Sequence, residues 1–336
     1  MIEPTGTDPA LTVVLAGLAD GSVLETTLLH LRAQTARERI ELVIVTPSLS
    51  RLGPLPVALD AMHSCRMIES PSVTSCATAN AAGVRAASAP VVALVEDHAF
   101  PDPNWAESLL AAHEGPWTAV GPAIVNANPA SLAGWSDFVL GYGPWMEPAQ
   151  AGPRPFLPGH NCSYKRAALL ALGDELEEML EAETVLHYRF AAQGNGLYLE
   201  PRARVAHLNV SRWPAALSSR FHSGRVYASA LRTGWSTPRK AAYAVASPLI
   251  PFVRFAHCLR QLREPGRRGL VPRAALPGLA LSLVCDGAGQ VAGHLAGAGN
   301  SVAVLSAYEF RRVDHITDAD RRALEALTAG LRSADA

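Results

Sequence analysis

The run Val91-Val92-Ala93-Leu94-Val95 restricts the folds open to this chain more than any other stretch. Five apolar residues, three of them β-branched, read as a strand buried on both faces, as in a parallel sheet. The run stops at Glu96-Asp97-His98. Pro101 and Pro103 force an extended exit, and Trp105 opens an apolar-periodic helix that reaches His113. In open α/β sheets, ligands sit beyond the carboxyl ends of the strands. Two acids and an imidazole at that place could hold a divalent cation, since carboxylates suit Mg²⁺ and Mn²⁺ and imidazole tolerates Mn²⁺. A solvated turn that caps the following helix accounts for the same three residues equally well.

Other segments assemble around that strand. Leu11 to Leu15 reads as a strand, followed by a helix from about Ser22 to Gln34, with Ser22 as N-cap and Glu25 at the capping-box spacing. Ile40 to Val45 reads as a second buried strand, so strand, helix and strand open a parallel sheet. Residues 51–75 show no period, because Pro54, Pro56 and Pro71 interrupt them. Cys76 to Ala87 is a small-residue helix whose alanine face would pack close to a sheet. Ala119 to Val125 reads as a strand, and residues 126–160 as a long loop rich in Gly, Pro and Trp. Long loops inside a compact domain are more often functional than decorative. A helix at Arg166–Leu172, a glutamate-rich helix over 176–193 and short strands at Leu197–Leu199 and Ala203–Leu208 follow, the last containing His207. No internal repeat or phosphate-binding glycine motif appears, which removes the dinucleotide-binding and P-loop readings.

At 49% hydrophobic and 18% charged residues, the chain can bury a large core and is not disordered. Its net charge of −1 conceals an asymmetry. Residues 1–200 carry 10 basic against 22 acidic side chains, a net of −12, whereas 201–273 carry 14 against the single acid Glu264, a net of +13. A basic block beside an acidic domain points to an anionic partner such as a lipid surface or a nucleotide phosphate. The five cysteines are scattered and show no metal-binding spacing, which argues for free thiols in a reducing compartment. Met1 to Asp8 lack a basic start and an apolar core, so no signal peptide is expected and a cytoplasmic location is.

Taken in order, these motifs resemble a known family. The strand Val13-Val14-Leu15-Ala16-Gly17, a helix ending in Ala33-Gln34 and the strand Glu41-Leu42-Val43-Ile44-Val45 come first. Asn80 in a small-residue helix, a strand ending in an acidic triplet and Pro101-Asp102-Pro103-Asn104-Trp105 follow. Then come Pro158-Gly159-His160-Asn161-Cys162-Ser163-Tyr164-Lys165-Arg166 and a glutamate helix closing with Leu186-x-x-Arg189. Over residues 10–210 this is similar to the family 2 glycosyltransferases, inverting enzymes of the GT-A nucleotide-diphospho-sugar transferase fold, a mostly parallel sheet flanked by helices. The resemblance implies a catalytic domain over 10–212, and the charge and apolar spacing beyond it point to a helical, basic, amphipathic extension over 213–336.

It also implies roles. The family's Asp-x-Asp motif falls on Glu96-Asp97-His98, so His98 stands where the last acid would hold a metal, and Asp97 could substitute. Asp97 and His98 are therefore candidate ligands of a divalent cation, Mn²⁺ or Mg²⁺. So is His207, at the end of a later strand where several relatives place a further metal or phosphate ligand, although a polar residue that merely ends a strand accounts for it equally well. Asn80, Glu96, Asp97 and Asn161 are the candidate donor-binding residues. Aligning on Leu186 and Arg189 places the catalytic base on Glu183, with Glu181 as runner-up. Without the resemblance, these glutamates would read as an ordinary solvated helix face. Two departures bear on the donor: Thr46-Pro47-Ser48 lacks the acid that reads the nucleotide base, and Ala16-Gly17-Leu18 replaces the usual proline-and-acid loop.

In the last third, Leu249, Ile250, Phe252, Val253, Phe255, Leu259 and Leu262 are interleaved with Arg254, Arg260 and Arg263. Pro248 and Pro251 interrupt this run, and residues 276–297 carry Asp286 and five glycines, so neither stretch is expected to span a bilayer. Two readings stand: a basic amphipathic segment in an anionic membrane interface, or a helical lid with arginines toward water or the diphosphate. No motif supports nucleic-acid binding. A short amphipathic helix over 318–332 is expected to pack on the core. The function expected is metal-dependent, inverting, hexosyltransferase-type transfer from a nucleotide sugar, in polysaccharide or glycolipid synthesis. The acceptor would be a saccharide or a lipid-linked chain, met in the cytoplasm at the inner membrane face. The contrasting expectation is a non-catalytic GT-A scaffold that binds a nucleotide or a partner.

Overall fold

The computed structural model describes residues 8–16, 22–52 and 54–334. The expected Ser22 cap and the loop after Ala16 fall outside what it describes. Four strands form the parallel half of the sheet: β1 (Leu11–Ala16), β2 (Ile40–Thr46), β3 (Ser64–Glu69) and β4 (Val91–Val95). Every residue of β1, β2 and β4 is buried, the polar Thr12, Glu41 and Thr46 among them, as expected for central strands covered on both faces. The other strands are β5 (Ala99–Pro101), β6 (Trp117–Asn126), β7 (Gly152–Pro153), β8 (Ser163–Lys165) and β9 (Gly196–His207). The nine-stranded order is β3-β2-β1-β4-β8-β6-β9-β5, with β7 also on β9. β8 runs antiparallel between β4 and β6, and β5 and β7 run antiparallel to β9.

One face of the parallel half packs on helix Cys76–Ala86, whose Ala77, Ala81 and Val84 belong to the same core as Val14, Val43, Val45, Val92 and Leu94. That helix starts with a capping box at Ser75 and Thr78. The first helix stops at Arg32, short of Gln34, and the buried Gln34 amide does other work. Its Nε2 donates to the Asp102 carbonyl at 2.9 Å and its Oε1 accepts from the Ala106 amide at 3.0 Å. Gln34 thereby caps helix Trp105–His113, whose expected limits are the observed ones.

Several expectations need correction. Residues 126–160 are not a structureless loop, because helix Leu132–Tyr142 lies within them. It is buried almost all round, so no 3.6-residue period marks it in the sequence. The segment 176–193 is two helices, Leu176–Leu180 and Glu183–Ala192, broken at Ala182, whose φ of −143° is not helical. The two short strands expected before 208 are one twelve-residue strand, β9, that runs through Pro201.

Two compact units result. The first comprises residues 1–125, 149–207 and 322–336, and the second 126–148 and 208–321, so the break expected at 212/213 is not where the contacts divide. In the first unit, residues 322–334 of the closing helix Asp318–Ala334 set Thr328 against Thr26 at 2.6 Å and Arg332 on Glu25 at 2.5 Å. The second unit is helical. Helices Trp213–Leu231 and Leu276–Ala296 meet backbone to backbone, and a Cβ on Gly224 or Gly289 would collide with the carbonyls of Asp286 or Phe221. Pro248 and Pro251 do not interrupt this unit's helix as expected, since residues 237–261 continue through a 3-10 turn at Ser247–Leu249.

Candidate active site

The β4 strand ends and the chain turns, as the sequence requires, at Glu96, Asp97 and His98, and all three side chains are buried. This excludes a solvated turn. Thr27 fixes the bend from the first helix by donating to the carbonyls of Asp97 at 2.5 Å and Ala99 at 3.2 Å. The antiparallel register of β5 and β9 pairs Ala99 with His207, which brings an imidazole from more than a hundred residues away beside the turn. His98 and His207 stand edge to face, with ring centroids 5.0 Å apart.

The acidic turn does not present its side chains as the sequence suggested. Glu96, His98 and His207 each offer one ligand atom, and these atoms lie within 4.8 Å of one another. Asp97 is not in this group. Its Oδ1 lies 2.9 Å from His98 Nδ1, where it accepts the ring proton and leaves Nε2 as the nitrogen available for coordination. Glu96, expected to bind the donor, is the carboxylate that lies with the two imidazoles instead. Its Oε2 is 3.1 Å from His207 Nε2 and its Oε1 is 3.7 Å from His98 Nε2. One carboxylate and two imidazoles, all buried and one oriented by a second carboxylate, suit a transition-metal ion such as Mn²⁺ better than the all-oxygen shell Mg²⁺ favours.

Asn161 explains how a carboxylate can lie here. It is a non-glycine residue with φ of 68°, a left-handed conformation that asparagine tolerates. Its amide donates to the Leu94 carbonyl at 2.7 Å, and its side-chain Nδ2 donates to Glu96 Oε2 at 3.0 Å. Asn161, expected at the donor, is thus seen holding Glu96. Burial alone would push the Glu96 carboxyl up. The imidazoles of His160, His98 and His207 more than offset it and hold the group well below the usual carboxylate range.

Glu183 lies across the same site at the start of helix Glu183–Ala192. Burial pushes its carboxyl up to about 7, against the pull of His160 and with the added charges of Glu96 and Glu181. Its Oε1 has no hydrogen-bond partner among the described residues that meets normal geometry, although His160 Nδ1 approaches to 3.2 Å. The same His160 Nδ1 is 3.8 Å from Glu96 Oε1, so one imidazole stands between the two carboxylates. Gly159 makes room: its φ is 77°, and a Cβ there would sit 2.7 Å from Glu183 Oε2. Only glycine meets both conditions.

His187 locks this arrangement. Burial pushes its imidazole down to about 3, so it is neutral. Its Nδ1 accepts from the Leu157 amide at 3.2 Å, which puts the ring proton on Nε2, 3.0 Å from the Tyr164 hydroxyl. The loop before Gly159 is therefore tied to the helix that carries Glu183. The sequence reading missed both His160 and His187. His160 lay inside the quoted Pro158–Arg166 segment and His187 one residue after Leu186, so the segments were visible but not the roles.

Two expected residues stand elsewhere. Glu181 is half-buried and accepts a hydrogen bond from Ser75 Oγ, so it is tied to the cap of helix Cys76–Ala86; burial raises its carboxyl, with Ser75 and His160 opposing. Asn80 is buried in that helix, and its Oδ1 has no hydrogen-bond partner among the described residues. Arg189 pairs with Glu175 on the surface. Among the described residues Thr46 Oγ1 hydrogen-bonds within its own turn, 3.3 Å from the Ser48 amide.

Residues 16–173 match the family model described as glycosyl transferase family 2. No curated protein matches the chain at a significant level. Among solved structures, the chain is similar to the mannosyltransferase PcManGT from Pyrobaculum calidifontis in complex with GDP-Man and Mn²⁺. The identity is 15% and the TM-score 0.45, covering 99% of this chain and 88% of that one.

Proposed function

We propose that this chain, whose residues 16–173 match the family 2 glycosyltransferases and lie on a mixed sheet, carries out a metal-dependent, inverting transfer of a hexosyl group to an acceptor hydroxyl. The observation that carries the reading is a pair of buried carboxylates with opposed proton affinities, Glu96 held ionised and Glu183 held near neutrality. Divergent environments of this kind mark a division between charge holding and proton transfer.

Glu96, His98 and His207 would hold the cation, with Asp97 orienting His98. A bound divalent cation supplies neutralisation of the charge that grows on the departing nucleoside diphosphate. The carboxylate of Glu183 takes the proton from the acceptor hydroxyl as that oxygen bonds to the anomeric carbon. The bond from that carbon to the diphosphate oxygen breaks on the opposite face, which inverts the centre. His160 keeps Glu183 aligned through its 3.2 Å contact, and Asn80, whose buried Oδ1 has no hydrogen-bond partner among the described residues, would accept a hydrogen bond from the donor. The acceptor is a saccharide or lipid-linked chain of polysaccharide or glycolipid synthesis, met in the cytoplasm at the inner membrane face. The exposed apolar and basic side chains of the helical unit support that setting.

The test is donor turnover with a panel of UDP- and GDP-sugars, with and without Mn²⁺, followed by the anomeric configuration of the product. Mn²⁺-dependent turnover with an inverted product is the expected result. Nucleotide binding without turnover of any donor would favour the scaffold, for which Thr46-Pro47-Ser48 in place of a base-reading acid is the motive.

A further inference from the structure

The helical unit carries an apolar surface that its own packing leaves uncovered. Along the rod 237–261, Val245, Leu249, Phe252 and Val253 are 80%, 64%, 75% and 66% exposed. Their spacing puts them on one face of the helix. The opposite face is occupied: Ala244, Ser247, Cys258 and Gln261 are buried, and Arg254 pairs with Asp286 of helix Leu276–Ala296 at 2.5 Å. That helix leaves Leu281, Val284 and Leu295 exposed as well. Large apolar side chains clustered in this way mark a contact surface rather than a solvated one.

The charge around the stripe has one sign. Between residues 237 and 273 the only acid is Glu264, and Arg267 pairs with it. Arg239, Arg260, Arg263, Arg268 and Arg273 are exposed. Not every arginine of the block is available, since Arg254 is held by Asp286. Arg267 is buried and donates to the carbonyls of Pro148 at 2.9 Å and Gly143 at 3.2 Å. Apolar residues on one face with exposed arginines alongside match the boundary between acyl chains and anionic headgroups. A second copy of the chain fits less well, because apposing two such faces would bring like charges together.

We propose that the stripe Val245, Leu249, Phe252 and Val253 seats this enzyme on an anionic lipid bilayer, with the rod lying in the headgroup plane and the exposed arginines on lipid phosphates. The proposal deepens, and rests on, the reading of an acceptor met at the membrane. Crossing the bilayer is the competing arrangement. Residues 237–261 and 273–296 are each long enough for it, and an 18-residue stretch within each reaches a mean hydropathy of 1.3. Residues 273–296, however, include Asp286, which pairs with Arg254, and one side of that helix packs against helix Trp213–Leu231.

The experiment is co-sedimentation of the full chain with phosphatidylcholine vesicles, with and without phosphatidylglycerol, across a salt series. The wild type should partition onto the anionic vesicles, bind the neutral ones poorly and release in part as salt rises. The quadruple change Val245→Ser, Leu249→Ser, Phe252→Ser and Val253→Ser should lower partitioning by roughly tenfold or more. Replacing Arg260, Arg263 and Arg268 with Gln should cost roughly fivefold per residue. All of these positions are exposed, so circular dichroism and donor hydrolysis measured without vesicles should match the wild type. Equal partitioning of wild type and stripe variant would overturn the proposal. So would a wild-type dimer that the stripe variant converts to monomer, or a wild type that only detergent removes from bilayers. Vesicle binding without donor turnover would remove the transferase reading and leave the surface, and turnover without vesicle binding would do the reverse.

Discussion

The turn after β4 and the start of helix Glu183–Ala192 each bury a carboxylate, and they treat it in opposite ways. Glu96 is surrounded by His160, His98 and His207 and accepts the Asn161 side chain, so burial fails to protonate it. Glu183 has one imidazole and two neighbouring acids, and burial prevails, leaving its carboxyl near 7. The difference lies in the number and sign of neighbours rather than in depth, because both residues are almost fully buried. A group that stays charged suits a cation, and one that exchanges a proton near neutral pH suits a base.

The largest effect should come from removing the base. Glu183→Gln keeps the shape of the side chain but cannot take a proton, so turnover should fall about 10²–10⁴-fold while donor affinity is retained. Steady-state rates with a titration of donor binding separate these two quantities. Near-normal turnover would break the division of labour between the two carboxylates.

The same pair can be read in stability. In cation-free buffer Glu183 holds a proton in the folded state up to about 7, whereas the unfolded carboxyl ionises near 4.5. Between those values the folded state binds more protons than the unfolded state, so stability falls as pH rises through that window. The loss is on the order of 3 kcal/mol by the top of the window, taking ~1.4 kcal/mol per pH unit. Glu183→Gln should flatten this slope and raise the melting temperature at pH 8 more than at pH 5. Parallel pH profiles for the two proteins would mean that burial does not control Glu183.

Removing the support of the cation group should act less strongly. Asp97→Asn weakens the acceptor on His98 Nδ1 without altering a ligand atom, and changes of this kind typically cost about 10–100-fold in metal affinity. Calorimetric titration with Mn²⁺ would measure it. An unchanged affinity would show that His98 orientation does not depend on Asp97.

How much of this was legible in the sequence follows from where the interactions come from. The parallel half of the sheet was readable because unbroken apolar runs such as Val91–Val95 state their burial locally. Helix Leu132–Tyr142 was not, because an element that is apolar all round shows no period. In the site, Glu183 and the turn at 96–98 were located through ordered motifs. The exchange of Glu96 for Asp97 was invisible, since it depends on His207 arriving through the β5–β9 register and on Asn161 adopting a left-handed backbone. His160 and His187 act through contacts with residues far away in sequence, and no spacing rule reports those.

The smallest effect should come from Glu181, two residues before Glu183. Both carboxyls are raised by burial, so proton affinity alone does not choose between them. Their partners do. Glu181 accepts from Ser75 Oγ at the cap of helix Cys76–Ala86, whereas Glu183 Oε1 faces His160 and meets no well-formed hydrogen bond. A base must have an oxygen available for the incoming proton, and a carboxylate committed to a helix cap is poorly placed to supply one. Glu181→Gln keeps an oxygen that can accept from Ser75, so turnover should stay within about threefold of the wild type, the scale of one weakened hydrogen bond. Glu181→Ala should cost more in thermal stability than in rate, because the Ser75 hydroxyl loses its partner. A loss of a hundredfold or more in Glu181→Gln, with Glu183→Gln near normal, would move the base two residues and leave the proton affinity of Glu183 as a structural consequence of burial.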